Sequence, residues 1–352
     1  MHEKFWPLQY AYLENALTVA RRHHIDIVKT NYALTLHGYE EYAALSFDER
    51  IKVMSIANVG DEIQTLVPIQ FYPYLTTFLD RESLTNYKYV RKLTILMNAW
   101  LGDDRMQFPN ASNFRPILTS IHISGEWIKK PESISYLQSH SPIGARDNHT
   151  LQTLQSLNIT SYLSGCATAL LRNPHNERTE KIYAIDVSDE ILKRVLPAEI
   201  YGRLIVMSHK AWPYIHSPFG RSMKAVNLAL KFYAQARLVI TSRLHAAMPC
   251  VGLKTPVIFL RTEELPGGAA GRIEGLDQLW HTYDVTNEAK TAETTELLRR
   301  FNWTSPPFNP NKQMALELKK KMLNHIFHES PQFISVATMF GWIKNGTKDD
   351  DQ

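Results

Sequence analysis

The stretch "VITSRLHAAMP", Val239 to Pro249, decides the architecture. Leu238, Val239 and Ile240 form an apolar run that reads as a buried strand, and "AAMP" begins a helix. Thr241, Ser242, Arg243 and His245 stand between them, where the core pattern stops. Arg243 is a fixed cation, and His245 titrates near neutrality. A lone strand-end histidine is ordinarily structural. An Arg-x-His pair that feeds a helix N-terminus suits an anion better than either residue alone.

The same alternation runs outward in both directions. Downstream, "TPVIFL" is a strand; upstream come "RLVITS", a helix over 221–235, "RLIVMSH", a helix near 190–196, and "KIYAIDV". Before the polar, proline-containing "LRNPHNERTE" (Leu171 to Glu180) lie further units. These are a strand over 51–56, "TTFLD", "KLTILMN", "ILTSIHIS", the helix "ESISYLQSH", the strand end "SPIGARD", the helix "NHTLQTLQSLN" and the strand "ITSYLSG". Strands alternating with helices predict α/β architecture with parallel sheets and crossover helices. The linker at 171–180 predicts two Rossmann-like domains, 1–172 and 178–310, followed by a C-terminal helix and tail over 311–352. Two such domains form a cleft outside the carboxyl ends of their strands, where ligands bind on open sheets. A helix over 8–23 precedes them. In the last helix Asn309 is the expected N-cap and Pro310 the first residue, with Leu318, Met322 and Ile326 facing the core. The tail "GTKDDDQ" is expected to be disordered.

Composition narrows the function. The 352 residues exceed what one core usually serves, and 44% hydrophobic with 21% charged residues is ordinary for a globular enzyme. The net charge of +4 is a small excess. Its densest run, Lys319 to Lys321, reads as a solvated helix face, so nucleic-acid binding has no support. Cys166 and Cys250 lie among small apolar residues without metal-ligand spacing, which predicts buried inert thiols and a reducing compartment. No apolar run reaches the roughly 18 residues that span a bilayer, and the first residues lack a signal peptide's apolar region. A cytoplasmic setting is therefore expected. The sequons at Asn110, Asn148, Asn158, Asn302 and Asn345 then read as chance matches.

Four strand ends carry polar residues. In "NVGD" (Asn58 to Asp61) Gly60 permits a tight turn before helix amides that can hold an anion or hydroxyls, although Asp61 also suits an ordinary N-cap. In "GARD" Arg146 can grip a carboxylate or phosphate with two parallel hydrogen bonds; the alternatives are an Arg146–Asp147 ion pair or a surface arginine. In "YLSGCAT" Gly165 permits close approach and Thr168 can cap a turn, so packing is the favoured reading. The fourth is the motif quoted first, and upstream of it "SHK" sets His209 at another strand end of the same sheet. Trp100 suits a sugar face but fits the core better.

Taken together, "NVGDEIQTL", "SIHIS", "PIGARDNHTLQTLQSLNITSYLSGCATALL" and "YAQARLVITSRLHAAMPCVGLKTPVIF" resemble the polysaccharide pyruvyl transferase family. The resemblance runs from about Ile51 to Asn311, and "GARD…SGCAT" with "TSRLHA…TPVIF" is its specific part; Ala167 stands where the family usually has proline. It implies a GT-B-like pair of Rossmann-type domains. It also implies transfer of pyruvate from phosphoenolpyruvate onto two hydroxyls of a sugar, giving a cyclic ketal, as in exopolysaccharide biosynthesis. Arg146, Arg243 and Leu244 are then donor contacts, and His245 is the candidate for proton transfer. Asn58 and Asp61 fall on the acceptor side. No cofactor or metal is required, because side chains supply the positive charge. Two rivals stay open at this level. One is a nucleotide-sugar glycosyltransferase, with Glu263 or Glu264 on the ribose; the other is a catalytically silent carbohydrate-binding relative.

Overall fold

The computed structural model describes residues 59–69, 71, 93–101, 114–209, 225–262 and 273–331. The expected helix at 8–23, the strands at 51–56 and in "TTFLD", Asn58, Glu263, Glu264 and the tail lie outside the described residues.

The chain is mixed α/β with parallel sheets. In the first half, helix α1 (Val59–Ile69) precedes strands β1 (Leu93–Met97), β2 (Trp100–Leu101), β3 (Phe114–Leu118) and β4 (His122–Ile123). Then come helix α2 (Pro131–Ser139), β5 (Ile143–Ala145), helix α3 (Asn148–Ser156), β6 (Ser161–Leu163) and a 3-10 turn at Ala167–Leu170. The pairs β1–β3, β2–β4 and β5–β6 are parallel. A bridge from Ile121 to Ala145 joins β5 to the strand before it. Ile95, Met97, Leu118, Ile121, Ile123, Ile143 and Ala145 pack into one cluster with Leu137 of α2 and Leu154 of α3.

The second half holds β7 (Ile182–Ile185), α4 (Asp189–Val195), α5 (Ala198–Tyr201), β8 (Leu204–Met207), a π-helical segment (Asn227–Tyr233) and β9 (Leu238–Thr241). It continues through α6 (Leu244–Gly252), β10 (Val257–Arg261), β11 (His281–Asp284), α7 (Glu288–Arg299) and α8 (Lys312–Glu329). Its five strands form one sheet in the order β11-β10-β9-β7-β8, every pair parallel. The near-continuous apolar runs of β7, β9 and β10 follow from burial on both faces. Ile182, Ala184, Leu238, Ile240, Ile258 and Leu260 pack toward Leu192, Ile200 and Leu298. The alternate residues Tyr183, Ile185, Val239, Val257 and Phe259 enter the other cluster with Ala247, Met248 and Tyr233. Period-2 geometry separates the two sets.

That second cluster takes side chains from both halves: Val59, Ile63 and Leu66 of α1, Ala167 and Leu170 of the 3-10 turn, and Leu318, Met322 and Ile326 of α8. The three α8 positions are buried as the periodicity predicts. The start of α8 differs from expectation. Asn311 is the N-cap, accepting from the Met314 amide at 2.9 Å, and Lys312 is the first residue. Asn309 is committed elsewhere, accepting from the Val257 amide and donating to the Thr255 carbonyl. The segment 171–180 has no helix or strand, and Arg178 ties it down by donating to the carbonyls of Ala234, Ala236, Leu253 and Lys254 and to the Thr255 hydroxyl. Among the described residues no helix is long and apolar enough to cross a membrane.

Candidate functional site

The sheet order places a crevice. From β7 the chain crosses to β8 on one side and returns to β9 on the other, so the carboxyl ends of β7 and β9 flank a topological switch point. Asp186 leaves β7 there with φ 51°, a left-handed conformation that Asp tolerates better than most side chains. Ser208 donates to Asp186 Oδ1 at 2.6 Å, and the His209 amide donates to Oδ2 at 3.1 Å. From β9, Ser242 donates to the Asp186 carbonyl at 2.7 Å, and Arg243 Nε donates to Oδ2 at 3.2 Å. The Asp186 side chain is 8% exposed and that of Arg243 46%, so a buried carboxylate holds the stem of a cation whose remaining donors reach solvent.

Arg243 is also the N-cap of α6, in extended conformation, and its amide donates to Thr241 Oγ1. Leu244 and His245 are the first two helical residues, where backbone N–H groups have no intrahelical acceptor. A cation and the start of a helix thus lie together at this strand end. His245 is buried beside them at 5% exposure. His209 is buried too, with Nε2 2.6 Å from the Tyr233 hydroxyl and Nδ1 without a hydrogen bond. Its carbonyl accepts from the Val59 amide at 2.8 Å, which brings the start of α1 to this same edge. Asp61 is the third residue of α1, not the residue preceding a helix, so the N-cap alternative fails for it.

The second cluster forms at the end of β5. Arg146 is fully buried, so it is not a surface arginine, and its ion-pair contact with Asp147 is present but long. None of its three guanidinium nitrogens has a hydrogen bond, and Asp147 Oδ2 lies 3.7 Å from Nε. Asp147 caps α3 through the Thr150 amide at 2.9 Å and meets His122 Nδ1 at 2.6 Å. Burial by itself raises the Asp147 pKa. The His122 hydrogen bond, the charges of His122 and Arg146 and the Thr150 amide outweigh it and hold the carboxyl below the usual 3.8.

The structure therefore gathers Arg243, Leu244 and His245 at one edge and sets Arg146 at another. Between the two clusters, α6 packs on the 3-10 turn that follows "SGC". A Cβ on Gly252 would stand 2.6 Å from the Ala169 carbonyl oxygen, and one on Gly165 3.1 Å from Leu318 and 3.8 Å from Met248. The Asn148 amide donates to the Glu274 carbonyl, which ties the helix after Arg146 to the second half. Thr168 is not a cap: it lies within the turn, its hydroxyl 3.1 Å from Cys166 Sγ. Trp100 is half-buried and donates to Ser124. Both cysteines are buried, and burial pushes the Cys250 thiol far up.

Sequence reading passed over Asp186, His122 and Asp147 as site residues. Asp186 had a signal, since it follows the apolar run "IYAI" directly, as Ser242 and Arg243 follow "LVIT". Among the described residues no group of three or more His, Cys, Asp or Glu is placed to hold a metal.

Residues 119–264 match the polysaccharide pyruvyl transferase family. The matched segment is narrower than the span from Ile51 to Asn311 suggested by motifs. It contains Arg146, Asp147, Asp186, Arg243, Leu244 and His245, while Asn58 and Asp61 precede it. No curated protein matches the chain. A solved structure of a functionally uncharacterized protein from Klebsiella pneumoniae subsp. pneumoniae NTUH-K2044 aligns at 15% identity and TM-score 0.40, covering 78% of this chain and 98% of that one.

Proposed function

We propose that this chain transfers pyruvate from phosphoenolpyruvate to two hydroxyls of a sugar in a polysaccharide, on a GT-B-like pair of domains, 1–172 and 178–310, followed by the C-terminal segment 311–352. The observation that carries the reading is Arg146, a fully buried guanidinium with no hydrogen bond on any nitrogen. Burying such a cation is costly without a matching anion, and at a strand end it is fitted to take one. Arg243 and the first amides of α6 supply a second anion site. Phosphoenolpyruvate carries two anionic groups, a carboxylate and a phosphate, on a three-carbon skeleton.

In this reading Arg146 and Arg243, with the Leu244 amide, hold those two groups. Protonation of C3 makes C2 electrophilic, and one sugar hydroxyl adds to C2 and loses its proton. The C2–O bond to phosphate then breaks, phosphate leaves, and the second hydroxyl closes the ketal with loss of a second proton. His245, beside the α6 start, is the residue for this proton work, at about 10²–10⁴-fold in rate. Asn58 and Asp61 serve the acceptor, and no cofactor takes part. A cytoplasmic enzyme fits the two free buried thiols.

Calorimetric titration of phosphoenolpyruvate into wild type and Arg243→Ala, with UDP and GDP as controls, tests this. Binding of phosphoenolpyruvate that weakens in the variant is expected. Nucleotide binding with no response to phosphoenolpyruvate would overturn the proposal in favour of a glycosyltransferase.

A further inference from the structure

Arg146 and Asp147 are adjacent, buried and opposite in charge, yet they do not close into a hydrogen-bonded pair. Nε and Oδ2 stand 3.7 Å apart, beyond the roughly 2.7–2.9 Å usual for charge-assisted bonds of this type. The cause lies on the other side of the carboxylate. Oδ1 accepts from the Thr150 amide at 2.9 Å, and Oδ2 is claimed by His122 Nδ1 at 2.6 Å. His122 comes from β4, in register with Trp100 of β2, so the sheet fixes its backbone independently of the β5 end. Thr150 Oγ1, 3.4 Å from the same ring nitrogen, also accepts from the Ile123 amide and ties α3 to that strand.

We propose that His122 is a positioning residue: by holding Asp147 against β4 it keeps that carboxylate from closing on Arg146 and leaves the guanidinium to the anion of the donor. A small shift of Oδ2 toward Nε would otherwise give an internal ion pair at the position where the donor's carboxylate or phosphate must bind. The inference rests on the donor reading above for the identity of the anion, though not for the anion site itself.

The test is calorimetric binding of two probes, phosphoenolpyruvate and inorganic phosphate, with thermal unfolding as a folding control. His122→Ala frees Oδ2, and affinity is expected to fall about tenfold or more, the weight of one charge-assisted hydrogen bond. His122→Asn presents a side-chain N–H near the place of Nδ1 and is expected to restore binding. The double variant His122→Ala/Asp147→Asn is also expected to restore it, because the substituted amide still caps α3 but has no charge to offer Arg146. A purely structural role for His122 predicts no such rescue by a second substitution. Unchanged affinity in His122→Ala, or a double variant as weak as the single one, overturns the proposal. Should His122→Ala not fold, Asp147→Asn decides alone: affinity equal to or above wild type supports it, and a tenfold loss rejects it. Phosphate binding that depends on Arg146, without phosphoenolpyruvate binding, rejects the donor and leaves the positioning series readable with phosphate. Wild type that binds neither probe rejects both.

Discussion

Arg243 Nε lies 3.2 Å from Asp186 Oδ2, joining the carboxyl ends of β9 and β7, which run side by side with Thr241 opposite Ile185. Asp186 is shared among a serine hydroxyl, a histidine amide and the arginine, so it anchors three chain segments at one point. Arg243 is nearly half exposed, and its ion pair is correspondingly weak in stability terms.

Arg243→Ala is therefore expected to change unfolding stability by less than about 1 kcal/mol while weakening donor binding strongly. Asp186→Ala removes acceptors from a buried cluster and is expected to cost about 1–3 kcal/mol and to weaken binding as well, through a displaced Arg243. Denaturant unfolding and calorimetry on the two variants separate these effects. A large stability loss in Arg243→Ala would show that its role is structural.

His245→Ala is expected to lower turnover by about 10²–10⁴-fold, the usual worth of a general acid or base, with donor affinity largely kept. Initial rates and equilibrium binding on the same preparation check the split. Full activity in the variant would remove His245 from the chemistry.

Gly252 closes α6 against the 3-10 turn, with room for a hydrogen but not a methyl group. An added Cβ would lie 2.6 Å from the Ala169 carbonyl oxygen and 2.7 Å from that of Leu171, both backbone atoms that cannot swing aside. Gly252→Ala is expected to destabilise by about 2 kcal/mol, measured as a lower denaturation midpoint at unchanged slope. An unshifted midpoint would show that this contact does not limit the packing of α6.

Helix α8 carries a pH dependence. His325 Nδ1 is 2.9 Å from the Tyr162 hydroxyl, and burial pushes the Tyr162 phenol up to about 12. Burial also holds the His325 pKa below its usual 6.5, the charge of Glu329 opposing and that of His328 assisting. The unfolded chain takes up its proton first, so this contribution is complete above pH 6.5 and is lost as pH falls through the depressed folded value. Denaturation midpoints on either side of pH 6.5 are expected to fall more steeply toward acid in wild type than in His325→Gln. Parallel curves would assign the acid sensitivity elsewhere. Asp147, whose folded pKa is also depressed, contributes in the same sense only below 3.8.

Much of the fold was legible because its signals are local. Apolar runs marked β7, β9 and β10, and helical spacing marked the buried face of α8. The misplaced start of α8 shows where locality ends: Asn309 and Asn311 are both competent caps, and the choice fell to β10, which claims Asn309. His209 shows the same limit, since its Nε2 partner, Tyr233, stands 24 residues away.

By itself the sequence determined that polar residues interrupt core strands at Arg146, Asp186, Ser208 and Arg243, because hydrophobic periodicity is written along the chain. Only the tertiary structure decided which of these meet. Asp186 reaches Arg243 across 57 positions because the crossover from β8 returns the chain to the far side of β7. Arg146 keeps its donors because β4, folded against β5, brings a histidine to its neighbouring carboxylate. Strand order and burial set the partner of each charge, and neither is a local property of the sequence.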